Sequence, residues 1–186
     1  MDGFSMYKHC TTEESVQRQR QLERCLMNLM QTTPYSHITI GHICDLGGIS
    51  RKSFYRYFGS KDDCLCAMID HCIMDGASYY LPEHNEQTNT IDVCLRFFSY
   101  WKEMASLMDA LAKSNLSLLL VERMMVNVVQ EEKDFHYYLG GHTDDSYEQI
   151  LFMISGLMGL VINWHHTGFQ KSASQMAAIM ERVIQK

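Results

Sequence analysis

The segment GGISRKSFYRYFGSKDD, residues 47–63, gathers the side chains in this sequence best suited to gripping a polyanion. Arg51, Lys52, Arg56 and Lys61 supply positive charge, and Ser53, Tyr55 and Tyr57 supply hydroxyl donors. Ammonium and guanidinium groups neutralise phosphates and release their counterions. Arg and Lys also donate to O6 and N7 of guanine from the major groove. Hydroxyl groups of Ser and Tyr bind phosphate oxygens and so fix register on a duplex. The bland alternative is a solvated corner of a helical bundle, its charges exposed because they cannot be buried.

Positioning these groups requires short helices, and the sequence punctuates them. Residues 13–32 read as a first helix, with Leu22, Cys25, Leu26 and Leu29 on one apolar stripe and Pro34 ending it. Thr39 is an N-cap for a short helix over 40–46, which stops at Gly47-Gly48. Ser50 caps a second short helix reaching Tyr57 or Phe58, and Ile38/Ile43 and Ile49/Phe54 have the spacing of hydrophobic staples. Ser60 caps a third, with Asp63 in the capping-box position. Two short helices joined by a Gly-containing turn are the shape of a helix-turn-helix. Its second helix places Arg51, Lys52 and Ser53 at the N-terminal end, where such helices meet base edges. Phe54 and Phe58 point inward, Tyr55, Arg56 and Tyr57 emerge at the rim, and Lys61 adds a phosphate-neutralising charge.

The whole chain of 186 residues is acidic, with a net charge of −6. That charge is unevenly spread: residues 1–65 carry eight Lys/Arg against seven Asp/Glu, and residues 66–186 carry eight against fifteen. A local basic face is compatible with this, because screening confines phosphate attraction to about 8–10 Å.

At this point a family resemblance enters. ITIGHICDLGGISRKSFYRYFGSKDDCLCAMI resembles the helix-turn-helix signature of the TetR family of bacterial transcriptional regulators. Thr39, Ile43, Gly48, Ser50, Phe54, Tyr55, Phe58, Lys61 and Leu65 stand in register with that pattern, while Gly47 replaces the usual alanine before the turn glycine. The resemblance implies an all-α chain of about nine helices in two domains. Residues 1–75 would form a three-helix DNA-binding domain, and 76–186 a helical ligand-binding and dimerisation domain. Carried over by position, Arg51, Lys52 and Ser53 would contact bases at the helix that Ser50 opens. Thr39, Tyr55, Tyr57 and Lys61 would hold phosphates. The implied partners are a double-stranded DNA operator, a second copy of the chain, and a small apolar or aromatic effector.

Beyond residue 76 the spacing predicts a polar loop over 81–89 (LPEHNEQTN), a bent helix over 90–113, a long helix over 115–133, a break over 134–144, and helices over 145–167 and 172–185. The stretch 150–165 carries two apolar stripes, as a helix covered on both sides would. Leu157, Val161, Trp164, Met176 and Met180 are expected at the dimer interface. Phe97, Tyr100, Trp101, Met104, Met108, Met124, Met125 and Phe152 are expected around an effector, since Met-rich and aromatic linings adapt to apolar ligands. The same stripes would serve equally as plain core.

Other chemistries fare poorly. Cys64 and Cys66 lie about 200° apart on a helix, and no Cys-x-x-Cys pair or phosphate loop occurs, so neither metal nor catalysis is expected. The seven cysteines suit reduced thiols, and neither a signal peptide nor a membrane span is evident, so a cytoplasmic protein without a cofactor is expected. Two rivals stay open: a co-activator switched by a protein partner, and a thiol or metal sensor.

Overall fold

A computed structural model describes residues 7–8, 10–80, 89–130 and 147–184, and among these there are nine α-helices and no strand. They are α1 (Glu13–Thr32), α2 (Ile40–Gly47), α3 (Arg51–Phe54), α4 (Lys61–Tyr80), α5 (Thr90–Glu103), α6 (Ala105–Lys113), α7 (Ser117–Gln130), α8 (Tyr147–His166) and α9 (Ala173–Ile184). A single 3-10 turn, Tyr35–His37, precedes α2. The expected loop over 81–89 (save Asn89) and the break over 134–144 lie outside the described residues, as do residues 131–133 of the helix expected to follow Asn115.

Side-chain caps start these helices. Thr12 Oγ1 accepts from Ser15 N at the head of α1, where Glu13 and Glu14 face the positive end of the helix dipole. Asn89 Oδ1 accepts from Ile91 N ahead of α5 at 2.7 Å. Ser172 and Gln175 bond reciprocally at the start of α9. Three helices end in one motif, in which a residue at positive φ turns the chain while its own amide and the next one satisfy orphan carbonyls. Gly48 (φ 63°), Asn115 (φ 58°) and Gly168 (φ 68°) do this for α2, α6 and α8. After α8 the motif brings Phe169 against Trp164, with ring centroids 4.8 Å apart, while Trp164 Nε1 donates to the Lys171 carbonyl.

The chain divides into two compact units, one of Met1–His71 with Asp109–Leu116, the other of Cys72–Met108 with Ser117–Lys186. In the first, Leu22, Leu26 and Met30 of α1 are buried together with Ile43 and Cys44 of α2, Phe54 of α3, Phe58, and Cys64, Leu65 and Ile69 of α4. Asp109–Leu116 joins it through hydrogen bonds: Tyr35 N donates to Ser114 Oγ, and Lys113 Nζ to the Gln31 carbonyl.

In the second unit α9 packs along α5 and α7 against α8. The helix expected over 90–113 is two, α5 and α6, interrupted at Met104. Close to the start of this unit, the Tyr100 ring of α5 lies so near Gly76 of α4 that a Cβ there would come within 2.6 Å of it. Tyr100 Oη donates to the Cys72 carbonyl at 2.5 Å, holding the ring in place.

One set of expected positions lies in the interior of its own chain. Leu157, Val161, Trp164, Met176 and Met180 were expected to meet a second copy, yet each is buried within its own chain. Trp164 packs edge-on against Phe98 of α5 at 5.7 Å, so these residues form the core that joins α8 and α9 to α5.

Two substitutions test this packing in urea melts. Gly48→Ala is expected to lose about 1 kcal/mol, because alanine pays for the left-handed backbone. Gly76→Ala is expected to lose about 1–3 kcal/mol by overpacking against Tyr100.

Candidate nucleic-acid interface

The candidate interface is built on a helix of one turn, too short to be stable by itself. Its entry is set by the end of α2. Ile49 N donates to the Cys44 carbonyl at 3.0 Å, and Gly48 N to the Asp45 carbonyl, while Gly48 adopts left-handed geometry. Ser50 Oγ then accepts from Ser53 N at 3.1 Å and also pairs with Ser53 Oγ. The far side of the helix is sealed: Phe54 and Phe58 are fully buried with ring centroids 5.5 Å apart. Gly47 lies against α1, where a Cβ would come within 3.2 Å of Leu22. The glycine that departs from the family pattern therefore sits at a tight crossing.

With one side buried, the other is presented. Arg51, Lys52, Tyr55 and Arg56 are exposed, and Ser53 and Tyr57 half-buried. The helix proper ends at Phe54, and Tyr55, Arg56 and Tyr57 follow in a turn. The Arg51 guanidinium reaches back across α2: a Cβ on Gly41 would meet its Nη2 at 2.9 Å and Thr39 Oγ1 at 3.4 Å. Thr39 is exposed and caps α2 by accepting from His42 N. His42 Nδ1 in turn accepts from Thr39 N, a capping box with histidine in the place usually taken by Glu or Gln. That substitution is why the motif escapes a sequence reading. Together these groups form a surface of cations and hydroxyls around the N-terminal ends of α2 and α3, suited to phosphate oxygens and base edges.

Lys61 is placed differently from its expected role as a phosphate ligand. Its Nζ donates to the carbonyls of Tyr35 and Ile38 at 2.7 and 2.8 Å and lies 3.9 Å from the Tyr35 ring centroid. Two of its three donors are thus used inside the unit, tying the start of α4 to the turn before α2. Tyr35 Oη donates to Asp62, and burial with this carboxylate pushes the Tyr35 phenol well above its ordinary range. Ser50 likewise serves as a cap, so Arg51, Lys52 and Arg56 remain the exposed cations of the segment.

Of the residues expected around an effector, Phe97, Tyr100, Trp101, Met108 and Met124 are buried in the second unit. Met104 and Met125 are half-buried, and Phe152 is 80% exposed, away from that interior.

The thiols bear on the sensor alternative. Burial raises Cys25, Cys44 and Cys64, and pushes Cys94 up to about 11. Among the described residues no group of three or more His, Cys, Asp or Glu is placed to hold a metal ion.

Two measurements check these placements. Lys61→Ala should lower the stability of the native chain by about 1–2 kcal/mol, whereas Lys52→Ala should change it by less than about 0.5 kcal/mol. In thiol labelling of the native protein at pH 8, Cys10 and Cys72 should react first, with the buried thiols following only as the fold opens. Rapid labelling of Cys25 or Cys64 would contradict this.

Comparison with known proteins agrees with this geometry. Residues 26–68 match the family model of bacterial regulatory proteins, tetR family. No curated protein sequence matches the chain. Its structure is similar to a TetR transcriptional regulator from Streptococcus agalactiae 2603V, at 13% identity and a TM-score of 0.64, covering 92% of this chain and 95% of that one. It is similar to the dihydroxyacetone kinase operon activator DhaS, at 16% identity and a TM-score of 0.57, over 91% and 95%. The TetR family repressor AlkX from Dietzia sp. strain DQ12-45-1b matches at 13% identity and a TM-score of 0.58, over 90% and 93%. No helix among the described residues is long and apolar enough to cross a membrane. Residues 26–68 are therefore similar to the DNA-binding segment of the tetR family of bacterial regulatory proteins, and the chain as a whole has the fold of TetR-type transcriptional regulators.

Proposed function

We propose that the chain is a ligand-responsive transcriptional repressor that binds a palindromic operator as a homodimer. The observation that carries the DNA-binding part is the exposed cationic edge of α3, held in place by an opposite side sealed by Phe54 and Phe58. Arg51, Lys52 and Ser53 read base edges, and Thr39, Tyr55, Arg56 and Tyr57 hold phosphates. Lys61 and Ser50 act by holding this surface in shape.

A different face of α8 from the one expected supports the dimer. Phe152, Gly156, Gly159, Asn163 and His166 are all exposed and recur at alternating spacings of four and three, which makes one stripe along the helix. Nothing lies within 4 Å of a Cβ built on either glycine. Mid-helix glycine costs about 0.5–1 kcal/mol relative to alanine, and no packing among the described residues explains two of them here. Close approach of the same helix from a second copy does. Two reading helices about 34–36 Å apart then enter successive major grooves, and the second contact is intramolecular once the first has formed. A small apolar effector held in the second unit releases DNA by favouring a conformation with the wrong spacing, in proportion to its differential affinity for the two.

The sign of the effect has its own test, since the matched folds carry the names of both an activator and a repressor. Deleting the gene should raise transcription from the bound promoter, and a fall would make the chain an activator. Operator affinity should drop steeply with salt, by roughly 0.9 in log–log slope per neutralised phosphate. At low salt Arg51→Ala should weaken binding at least about fivefold, and unchanged affinity would remove α3 from the interface. Gly159→Leu should stay folded yet run as a monomer in ultracentrifugation, while a persistent dimer would place the interface elsewhere.

A further inference from the structure

Among the described residues of the second unit, two buried polar groups have no hydrogen-bond partner. Tyr80 at the end of α4 is 1% exposed and Trp101 of α5 is 0% exposed, and neither Tyr80 Oη nor Trp101 Nε1 makes a hydrogen bond. Buried hydroxyl and indole N–H groups are paired in the great majority of structures, because an unmade bond forfeits the full cost of desolvation. Both groups belong to one aromatic cluster. The Tyr80 ring meets Phe97 at 5.1 Å and Tyr100 at 6.1 Å between centroids, and Trp101 meets the same two rings at 6.2 and 5.7 Å. Tyr100 is occupied, its hydroxyl committed to the Cys72 carbonyl. Trp164, the other tryptophan, also has its donor satisfied.

From these observations we infer that Tyr80 Oη and Trp101 Nε1 are the polar anchors of the effector site, and that the ligand is a neutral, largely aromatic molecule carrying an acceptor oxygen such as a carbonyl. This rests on the reading that the second unit takes a small-molecule effector. The acceptor follows from the indole, which can only donate. The apolar body follows from the Phe97 and Tyr100 rings packed against both side chains. Neutrality follows from Asp75, a carboxylate that acts on Tyr100 of this cluster and opposes an anion. Burial pushes the Tyr80 phenol upward, so at neutral pH it meets a ligand as a hydroxyl donor.

The test compares acetophenone with α-methylstyrene, which keeps the planar shape but carries a methylene in place of the oxygen, by calorimetric titration of the 186-residue chain. Acetophenone is expected to bind at least about tenfold more tightly. Tyr80→Phe and Trp101→Phe should each remove most of that preference. Equal binding of the two probes, binding of neither, or an intact preference in both variants would overturn the inference. Without any ligand, Tyr80→Phe should melt at a higher temperature than the parent, because it deletes an unpaired buried hydroxyl. A lower melting temperature would show that the hydroxyl is satisfied by a buried water and would also overturn it. Operator affinity measured with acetophenone present separates the two readings. An oxygen-dependent preference with unchanged operator affinity leaves the anchors standing and overturns the release step.

Discussion

A helix of one turn cannot hold its own direction, and α3 is such a helix. Forming the first turn fixes several backbone angles for a single hydrogen bond, so the orientation of Arg51 and Lys52 has to be imposed from outside. Three constraints impose it. Gly48 turns the chain in a geometry that side chains resist, Ser50 satisfies the opening amide, and Phe54 and Phe58 anchor the opposite side in the core. The buried rings supply the energy, while the turn and the cap supply the direction. Exposed cations on a frame fixed this way lose little further entropy when they meet a phosphate.

The same economy explains Lys61. A cation at the first turn of a helix is poorly placed with respect to the helix dipole, yet here it bridges two carbonyls and the face of Tyr35. The bridge joins α4 to the turn that precedes α2, and Asp62 continues it through Tyr35 Oη. The start of α4 is thereby fixed to the frame that carries the exposed cations. The acidic balance beyond residue 66 sits on the other part of the chain, where the second unit is built from aromatic and Met packing around α5, α8 and α9.

Much of this was legible in the sequence, for local reasons. Thr39, Ser50 and Ser60 are caps, Gly47-Gly48 is a stop, and the apolar spacing around them is helical, so the bounds of α1, α2 and α4 follow from neighbours in sequence. What escaped depends on tertiary contact. Backbone carbonyls leave no mark in a sequence, so the partners of Lys61 were invisible. Asp109–Leu116 joins the first unit through contacts with residues some eighty positions away. In α8 both sides are apolar, and composition alone does not say which turns inward; Leu157, Val161 and Trp164 do, and Phe152 does not. Pairing also decides which aromatic hydroxyls and indoles are satisfied, so Tyr80 carried no signal at all.

The claim that α3 reads DNA is tested most directly by selecting binding sites from random duplex DNA with the parent protein and with Arg51→Ala and Lys52→Ala. The parent should enrich a two-fold symmetric motif. Each variant should enrich a motif relaxed at one position per half-site, the mark of a lost base contact and not of a lost phosphate contact. Failure of the parent to enrich any sequence, or motifs identical in parent and both variants, would contradict the assignment of α3 as the reading helix.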